Sequence, residues 1–325
     1  MAQPHAHAGC AAASGRAGPG VPPLPAQLPL PGARRRFCLL AALQGLLACV
    51  PDRAMAGSAP RVACIDWAAA ESLAWLGCMP VAVPDLVTYR RWLPEPALPA
   101  TTIDLGMRNE PNLELLAAVR PDRILLSSWQ AGMRAQFSLI APVDLAVVFD
   151  ERRDPWSRIR ELLLQAGGLA EQAQGARQRL AGFDEALAGL RRAVSARPRR
   201  PVYVAVLDER GSQAFVYGKG SWVDAVMDRI GLRNAWSGPT SFYGNSLVEI
   251  ARFAADAEAA ILYLDQGDRT RRAEANLRAS TLWRGLPAVA AGRVAAVPAF
   301  YPLGGIPSAL RCARILADAV RGIAG

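Results

Sequence analysis

LAEQAQGARQRLAGFDEALAGLRRAV, residues 169–194, reads as one continuous amphipathic helix. Leu169, Ala173, Ala176, Leu180, Phe183, Leu187, Leu190 and Val194 recur at alternating intervals of four and three, which lays one apolar stripe along a helical face. At roughly 1.5 Å per residue such a helix spans about 39 Å, the width of a domain. Arg197-Pro198-Arg199-Arg200-Pro201 then stops it, because proline has no N–H for the next turn.

On either side the grammar changes to short apolar runs alternating with helix-length segments. Before the helix, strands are predicted at 62–65, 81–83, 123–127 and 145–149, with helices at 68–76, 112–119 and 131–139. After it, strands are predicted at 202–207, 214–217, 259–264 and 293–297, with helices at 221–230 and 308–323. This alternation builds α/β lobes. The expected fold class is α/β: two α/β lobes, over residues 57–168 and 198–325, joined by one long backbone helix over 169–197. The helix holds fewer than four heptads and lies between two similar lobes, so a spacer describes it better than a coiled coil. A ligand cleft is expected between the lobes.

Residues 1–56 read as an export leader. An Ala-, Gly- and Pro-rich extension is followed by Arg34, Arg35 and Arg36, an apolar run from Phe37 to Val50, and Ala54-Met55-Ala56. That is the order of a secretory signal, with cleavage expected after Ala56 and the periplasm as destination. The apolar run falls short of the roughly 20 residues a membrane span needs. Ala33-Arg34-Arg35-Arg36-Phe37-Cys38-Leu39 is similar to a twin-arginine signal. Leu46-Leu47-Ala48-Cys49 forms a second cleavage box that would put a lipid on Cys49; it ranks behind the Ala-x-Ala site, which lies nearer the first strand.

Removing the leader lowers the formal net charge from +9 to +5. The remaining cations are arginines apart from Lys219, scattered among Asp and Glu as on a solvated surface, so nucleic acid is not an expected partner. His5 and His7 are the only histidines and both lie in the leader. The mature chain therefore has no Ser-His-Asp or Cys-His catalysis and no His-ligated metal site. No enzyme activity is expected, and carboxylate-only hydrolysis is the one catalytic class that composition leaves open. Cys64, Cys78 and Cys312 make no disulfide scaffold; a Cys64–Cys78 bridge and buried free thiols both fit.

Loops with Gly or Pro at their flanks strand large aromatic and polar side chains in four places. These are Tyr89-Arg90-Arg91-Trp92, Arg108 to Asn112, Ser127-Ser128-Trp129-Gln130, and the run Trp236 to Asn245 with Ser241 and Tyr243, joined by Phe300-Tyr301 after a later strand. Trp67, at a predicted strand end, belongs with them, whereas Trp222 and Trp283 sit in helical segments and read as core. Aromatic walls with one or two arginines suit a bulky, partly apolar ligand that carries oxygen acceptors.

Tyr89-Arg90-x-Trp92, Ile103-Asp104-x-Gly106-x-Arg108-x-Glu110-Pro111-Asn112-Leu113-Glu114-Leu115-Leu116, Asn234-Ala235-Trp236 and Arg293–Ala299 together resemble the ferric hydroxamate (ferrichrome-type) siderophore-binding branch of the class III solute-binding family. The resemblance runs nearly end to end and implies a protein, acting as a monomer, that hands a ferric siderophore to an inner-membrane ABC permease. It implies no cofactor, since the siderophore and not the protein holds the iron. By position, Arg108 matches the arginine that binds the hydroxamate oxygens, and Trp92 and Trp236 match aromatic pocket residues. Gln130, with Trp129 beside it, stands near a pocket tyrosine of the family, and Tyr243 and Tyr301 replace two tryptophans. Glu249 is a loose match to an acidic residue that docks on the permease. Haem or cobalamin on the same scaffold is the alternative ligand, and an exported carboxylate-dependent hydrolase ranks third.

Overall fold

A computed structural model describes residues 59–196 and 200–323. The expected leader, its cleavage site, the twin-arginine segment and Cys49 lie outside the described residues, as do positions 197–199 of the predicted helix stop. Among the described residues, no helix is long and apolar enough to cross a membrane.

The first lobe is a five-stranded parallel sheet of Val62–Cys64 (β1), Ala82–Val83 (β2), Ile103–Asp104 (β3), Arg123–Ser127 (β4) and Val143–Ala146 (β5), in the spatial order β3-β2-β1-β4-β5. Parallel strands covered on both faces are apolar throughout, and Ile124, Leu125 and Leu126 of β4 are fully buried. The connecting helices are Trp67–Trp75 (α1), Leu86–Trp92 (α2), Leu113–Val119 (α3) and Arg134–Ser138 (α4). From β1 the chain steps outward through β2 and β3, then returns to the other side of β1 as β4. The gap between the ends of β1 and β4 is thus the switch point of the sheet, where open α/β folds place ligands.

Two helices follow, Pro155–Leu169 (α5) and Ala173–Ser195 (α6). The predicted helix therefore starts four residues late, because Leu169 closes the stripe of α5 rather than opening that of α6. Glu171 takes a left-handed φ of 56°, and the Gln172 N–H returns to the Gly167 carbonyl, which ends α5. The two helices then run side by side: a Cβ on Gly167 would lie 2.5 Å from that of Ala176, and Trp156 stacks on Phe183 at 5.4 Å. Of the predicted stripe, Ala176, Phe183, Leu187 and Val194 are buried.

The second lobe carries Pro201–Leu207 (β6), Gln213–Tyr217 (β7), Arg233–Asn234 (β8), Asn245–Glu249 (β9), Ala260–Asp265 (β10) and Val294–Pro298 (β11), ordered β11-β10-β6-β7-β9 with β8 also beside β6. β10 runs parallel to β6 and β11, whereas β7 is antiparallel to β6 and β9. Its helices are Trp222–Arg229 (α7), Asp268–Ala279 (α8), Thr281–Arg284 (α9), Pro287–Ala290 (α10) and Ile306–Gly322 (α11).

Two further expectations change, and one open alternative is resolved. The strand predicted at 145–149 lies at 143–146, held by pairing of Ile124–Ser127 with Val143–Ala146, and Val148 and Phe149 leave the sheet. Tyr89 to Trp92 are not loop but the end of α2, with Tyr89 fully buried. Cys64, Cys78 and Cys312 are all unpaired: Cys64 lies inside β1, whereas Cys78 turns toward the end of α5.

One apolar cluster runs through both lobes, from Val62, Cys64 and Leu73 through Leu163 and Phe183 to Val204, Trp222, Ile306 and Leu316. The lobes are thus packed on a shared helical layer. Glu71 of α1 adds a polar tie within it: fully buried, its carboxyl accepts from the Gly305 N–H and from the Ser308 hydroxyl at 2.8 Å, both at the start of α11. Burial pushes this carboxyl up to about 8, against the downward pull of those hydrogen bonds.

Candidate functional site

The ends of β1 and β4 open into a cleft of about 260 Å³. Ile65, Asp66, Ser127, Ser128, Trp129, Val148, Phe149 and Arg108 line it from the first lobe, and Phe242, Tyr243, Tyr301 and Leu303 from the second. A wider groove, of about 770 Å³, runs beside Arg153, Asp154, Lys219 and Thr240, but Trp156 is its sole aromatic wall residue.

Local rules place each side chain of the cleft. Asp66 is the N-cap of α1: its carboxylate accepts from the Ala69 N–H at 2.9 Å and from the Ser127 hydroxyl at 2.6 Å. Burial raises the Asp66 carboxyl above its ordinary range, while Ser127, the Ala69 and Ala68 backbone and Arg108 pull it back. Trp67 follows as the first helical residue, buried, with its indole N–H on the Pro84 carbonyl at 2.9 Å. Its ring meets Tyr89 edge-on at 5.7 Å and Tyr301 at 5.3 Å.

Arg108 sits in the loop between β3 and α3. Asp104 shapes that loop by accepting from the Leu86 and Gly106 N–H groups, and Asn112 caps α3. The guanidinium lies 4.1 Å above the Trp67 ring centre and donates to the Tyr301 hydroxyl at 2.9 Å, across the cleft from one lobe to the other. A cation over an indole face is attracted to the ring quadrupole. Gln130 is buried and donates from Nε2 to the Arg108 carbonyl at 2.6 Å, so it supports the arginine from behind. Burial pushes the Tyr301 phenol up, and Arg108 draws it back.

The second lobe offers Tyr243, whose ring meets Phe149 edge-on at 5.5 Å and Phe242 at 5.1 Å. Tyr243 is aimed by a tight turn. Ser241 Oγ accepts from the Tyr243 N–H at 3.2 Å and bonds Asn245 Oδ1 at 2.8 Å, and the Gly244 N–H closes on the Ser241 carbonyl. Arg153 reaches across from the first lobe to Thr240 Oγ1 and the Ser241 carbonyl, each at 2.9 Å.

The structure thus brings Arg108, Trp129, Tyr243 and Tyr301 together around the cleft, with Trp67 and Gln130 directly behind. Ser241 and Asn245 hold the turn rather than line the cleft. Trp92, half-buried at the end of α2, packs against the core and is not a lining residue. Trp236 also lies outside the lining: it is buried, its indole N–H is 3.3 Å from the Pro239 carbonyl, and Gly218 and Gly238 press against its ring. Glu249 is exposed at the end of β9, away from the lining residues. Sequence reasoning missed Asp66 and Phe149, whereas Phe242 lies in the run it singled out. Asp66 directly follows the first predicted strand, which was its signal, but the strand order that sets it beside Ser127 is a tertiary fact.

The sequence matches the periplasmic binding protein family over residues 62–301. It is 33% identical over 292 residues, 89% of this chain and 97% of the relative, to the iron(3+)-hydroxamate-binding protein FhuD of Escherichia coli (strain K12). The crystal structure of the Fe3+-Desferal-bound siderophore-binding protein FhuD of Vibrio cholerae superposes with a TM-score of 0.76 at 26% identity, covering 82% of this chain and all of that one. The periplasmic haem-binding protein BhuT, with two haems bound, superposes with a TM-score of 0.63 at 27% identity, covering 80% of this chain and 99% of that one. With two α/β lobes, a switch-point cleft and a family match across both, this chain belongs to the periplasmic binding protein family.

Proposed function

We propose that this protein captures a ferric siderophore of the hydroxamate class in the periplasm and, as a monomer, delivers it to an inner-membrane ABC permease, with no turnover and with the iron held by the siderophore. The observation that carries this reading is Arg108, stacked on Trp67 and donating into a cleft walled by Trp129, Phe149, Tyr243 and Tyr301. Such walls supply contact area to the organic part of a chelate, and a fixed guanidinium supplies donors to its oxygens. Identity to the iron(3+)-hydroxamate-binding relative supports the ligand class. Glu249 at the end of β9 is the proposed permease contact; its charge reversal is expected to abolish uptake while ligand affinity stays intact.

Binding of a ferric hydroxamate is expected to quench tryptophan fluorescence, since Trp67 and Trp129 are at the cleft. Arg108→Ala loses charged hydrogen bonds and is expected to weaken binding by about 1.5–3 kcal/mol, roughly 10- to 150-fold. Fluorescence titration of both proteins checks this, and unchanged affinity removes Arg108 from the site. No response to any ferric hydroxamate, catecholate or carboxylate would overturn the siderophore reading. Haem is the second reading, favoured by the likeness to BhuT. With both histidines at positions 5 and 7, Tyr243 and Tyr301 are the cleft residues able to ligate haem iron, and a Soret titration separates the two ligands.

A further inference from the structure

We infer that Asp66 sets the charge selectivity of the cleft, tuning it to ferric chelates without net negative charge and against anionic ones; this rests on the siderophore reading above. The lining pairs one carboxyl group, Asp66, both of whose oxygens accept hydrogen bonds as a carboxylate's do, with one guanidinium, Arg108. In many α/β folds the helix N-terminus at a switch point is a ready anion site, because its free N–H groups and dipole face the ligand. Here that place is filled from within. Asp66 caps α1 through the Ala69 N–H, and the Ser127 hydroxyl, the nearest donor at the end of β4, is turned onto the same carboxylate. Two donors that could have met an anionic ligand are thus spent on the protein's own anion.

What remains for a ligand is the outer face of Arg108, whose charge Asp66 offsets. The aromatic walls and buried Trp67 keep water from screening either group fully. A ferric tris-hydroxamate is electrically neutral, since three singly charged hydroxamates balance the iron, and it still offers oxygen acceptors to Arg108. A ferric tris-catecholate is a trianion and meets a cleft with no net positive charge to hold it. Gln130 does not alter the balance, being neutral and committed to the Arg108 carbonyl.

The test uses Asp66→Asn and Asp66→Ser, both of which remove the charge while keeping an N-cap acceptor for α1. Affinities are measured by fluorescence titration in mildly alkaline buffer, where both chelates are fully formed. The probes are N-acetylated Fe3+-Desferal, which is neutral, and a ferric tris-catecholate. In the variants the affinity for the trianion relative to the neutral chelate is expected to rise at least about tenfold. A ratio unchanged in folded variants, or wild-type protein that prefers the trianion, overturns the role of Asp66 and leaves the siderophore reading standing. Wild-type protein that binds neither chelate overturns both.

Discussion

Replacing Glu71 by glutamine abolishes a loss of stability that the wild-type protein undergoes as the pH rises from about 4.5 to about 8. The carboxyl has an ordinary value of 4.5 and is lifted to about 8 by burial between α1 and the start of α11. Below the lower value both folded and unfolded chains carry the proton, and the contribution of Glu71 to stability is at its fullest. Between the two values the unfolded chain releases the proton and the folded chain keeps it, so each unit of pH costs about 1.4 kcal/mol. Across the window the loss is on the order of 3–5 kcal/mol. The carboxylates held low by hydrogen bonds, Asp150, Asp154 and Glu209, act with opposite sign and at more acid pH, so they do not mask it. Urea unfolding at about pH 5 and about pH 8.5 is the measurement, with the glutamine variant losing less between the two. Equal losses in the two proteins would refute the assignment.

The second large effect is expected from Gly244→Ala. Gly244 has a φ of 75°, and a Cβ there would lie 2.1 Å from Ser221 N and 2.6 Å from the Gly220 carbonyl carbon. Those are backbone atoms of the segment that starts α7, so no side chain can swing aside. The Gly218 N–H also donates to the Gly244 carbonyl at 2.8 Å, which pins the two segments together. The left-handed backbone and the collision together are expected to cost about 3 kcal/mol or more, a fall in Tm of roughly 6–12 °C. Because Tyr243 is the preceding residue, ligand affinity is expected to fall with it. A thermal melt within about one degree of wild type would show that the turn yields without cost.

Particular residues show where the sequence was legible. β4 reads correctly from Arg123 to Ser127 because a parallel central strand is an uninterrupted apolar run with a polar residue at each end. The start of α3 was visible in Pro111-Asn112, and Asn112 does cap it through the Leu115 N–H. By contrast, α5 was hidden, although Asp154-Pro155 is a cap followed by a proline at the first helical position. Its last apolar residue, Leu169, is in phase with α6, so periodicity ran the two helices together. α8 escaped notice because Thr270, Ala273 and Leu277 are its only buried residues and most of the rest is charged.

In the cleft, Arg108 and the aromatic residues stood out because Gly and Pro gave them no regular face to pack on. That rule failed for Trp92 and Trp236. Trp92 ends a helix, and Trp236 is folded beneath its own turn, where two glycines make room for the ring. The partners of Arg108 were named as pocket residues, but their pairing with it could not be read. Tyr301 lies 193 positions away, and Gln130 acts through a backbone carbonyl.

The tie between Glu71 and the start of α11 has a consequence for synthesis. Glu71 emerges from the ribosome 234 residues before Gly305, and the apolar side of α1 waits as long for the helix that covers it. Until then the Glu71 carboxyl lacks its two protein donors, and Leu73 and its neighbours lack part of their cover. The first lobe therefore reaches its full packing only when the C-terminal helix arrives, and a nascent chain that stops short of residue 305 lacks both donors of Glu71 and part of the cover of α1.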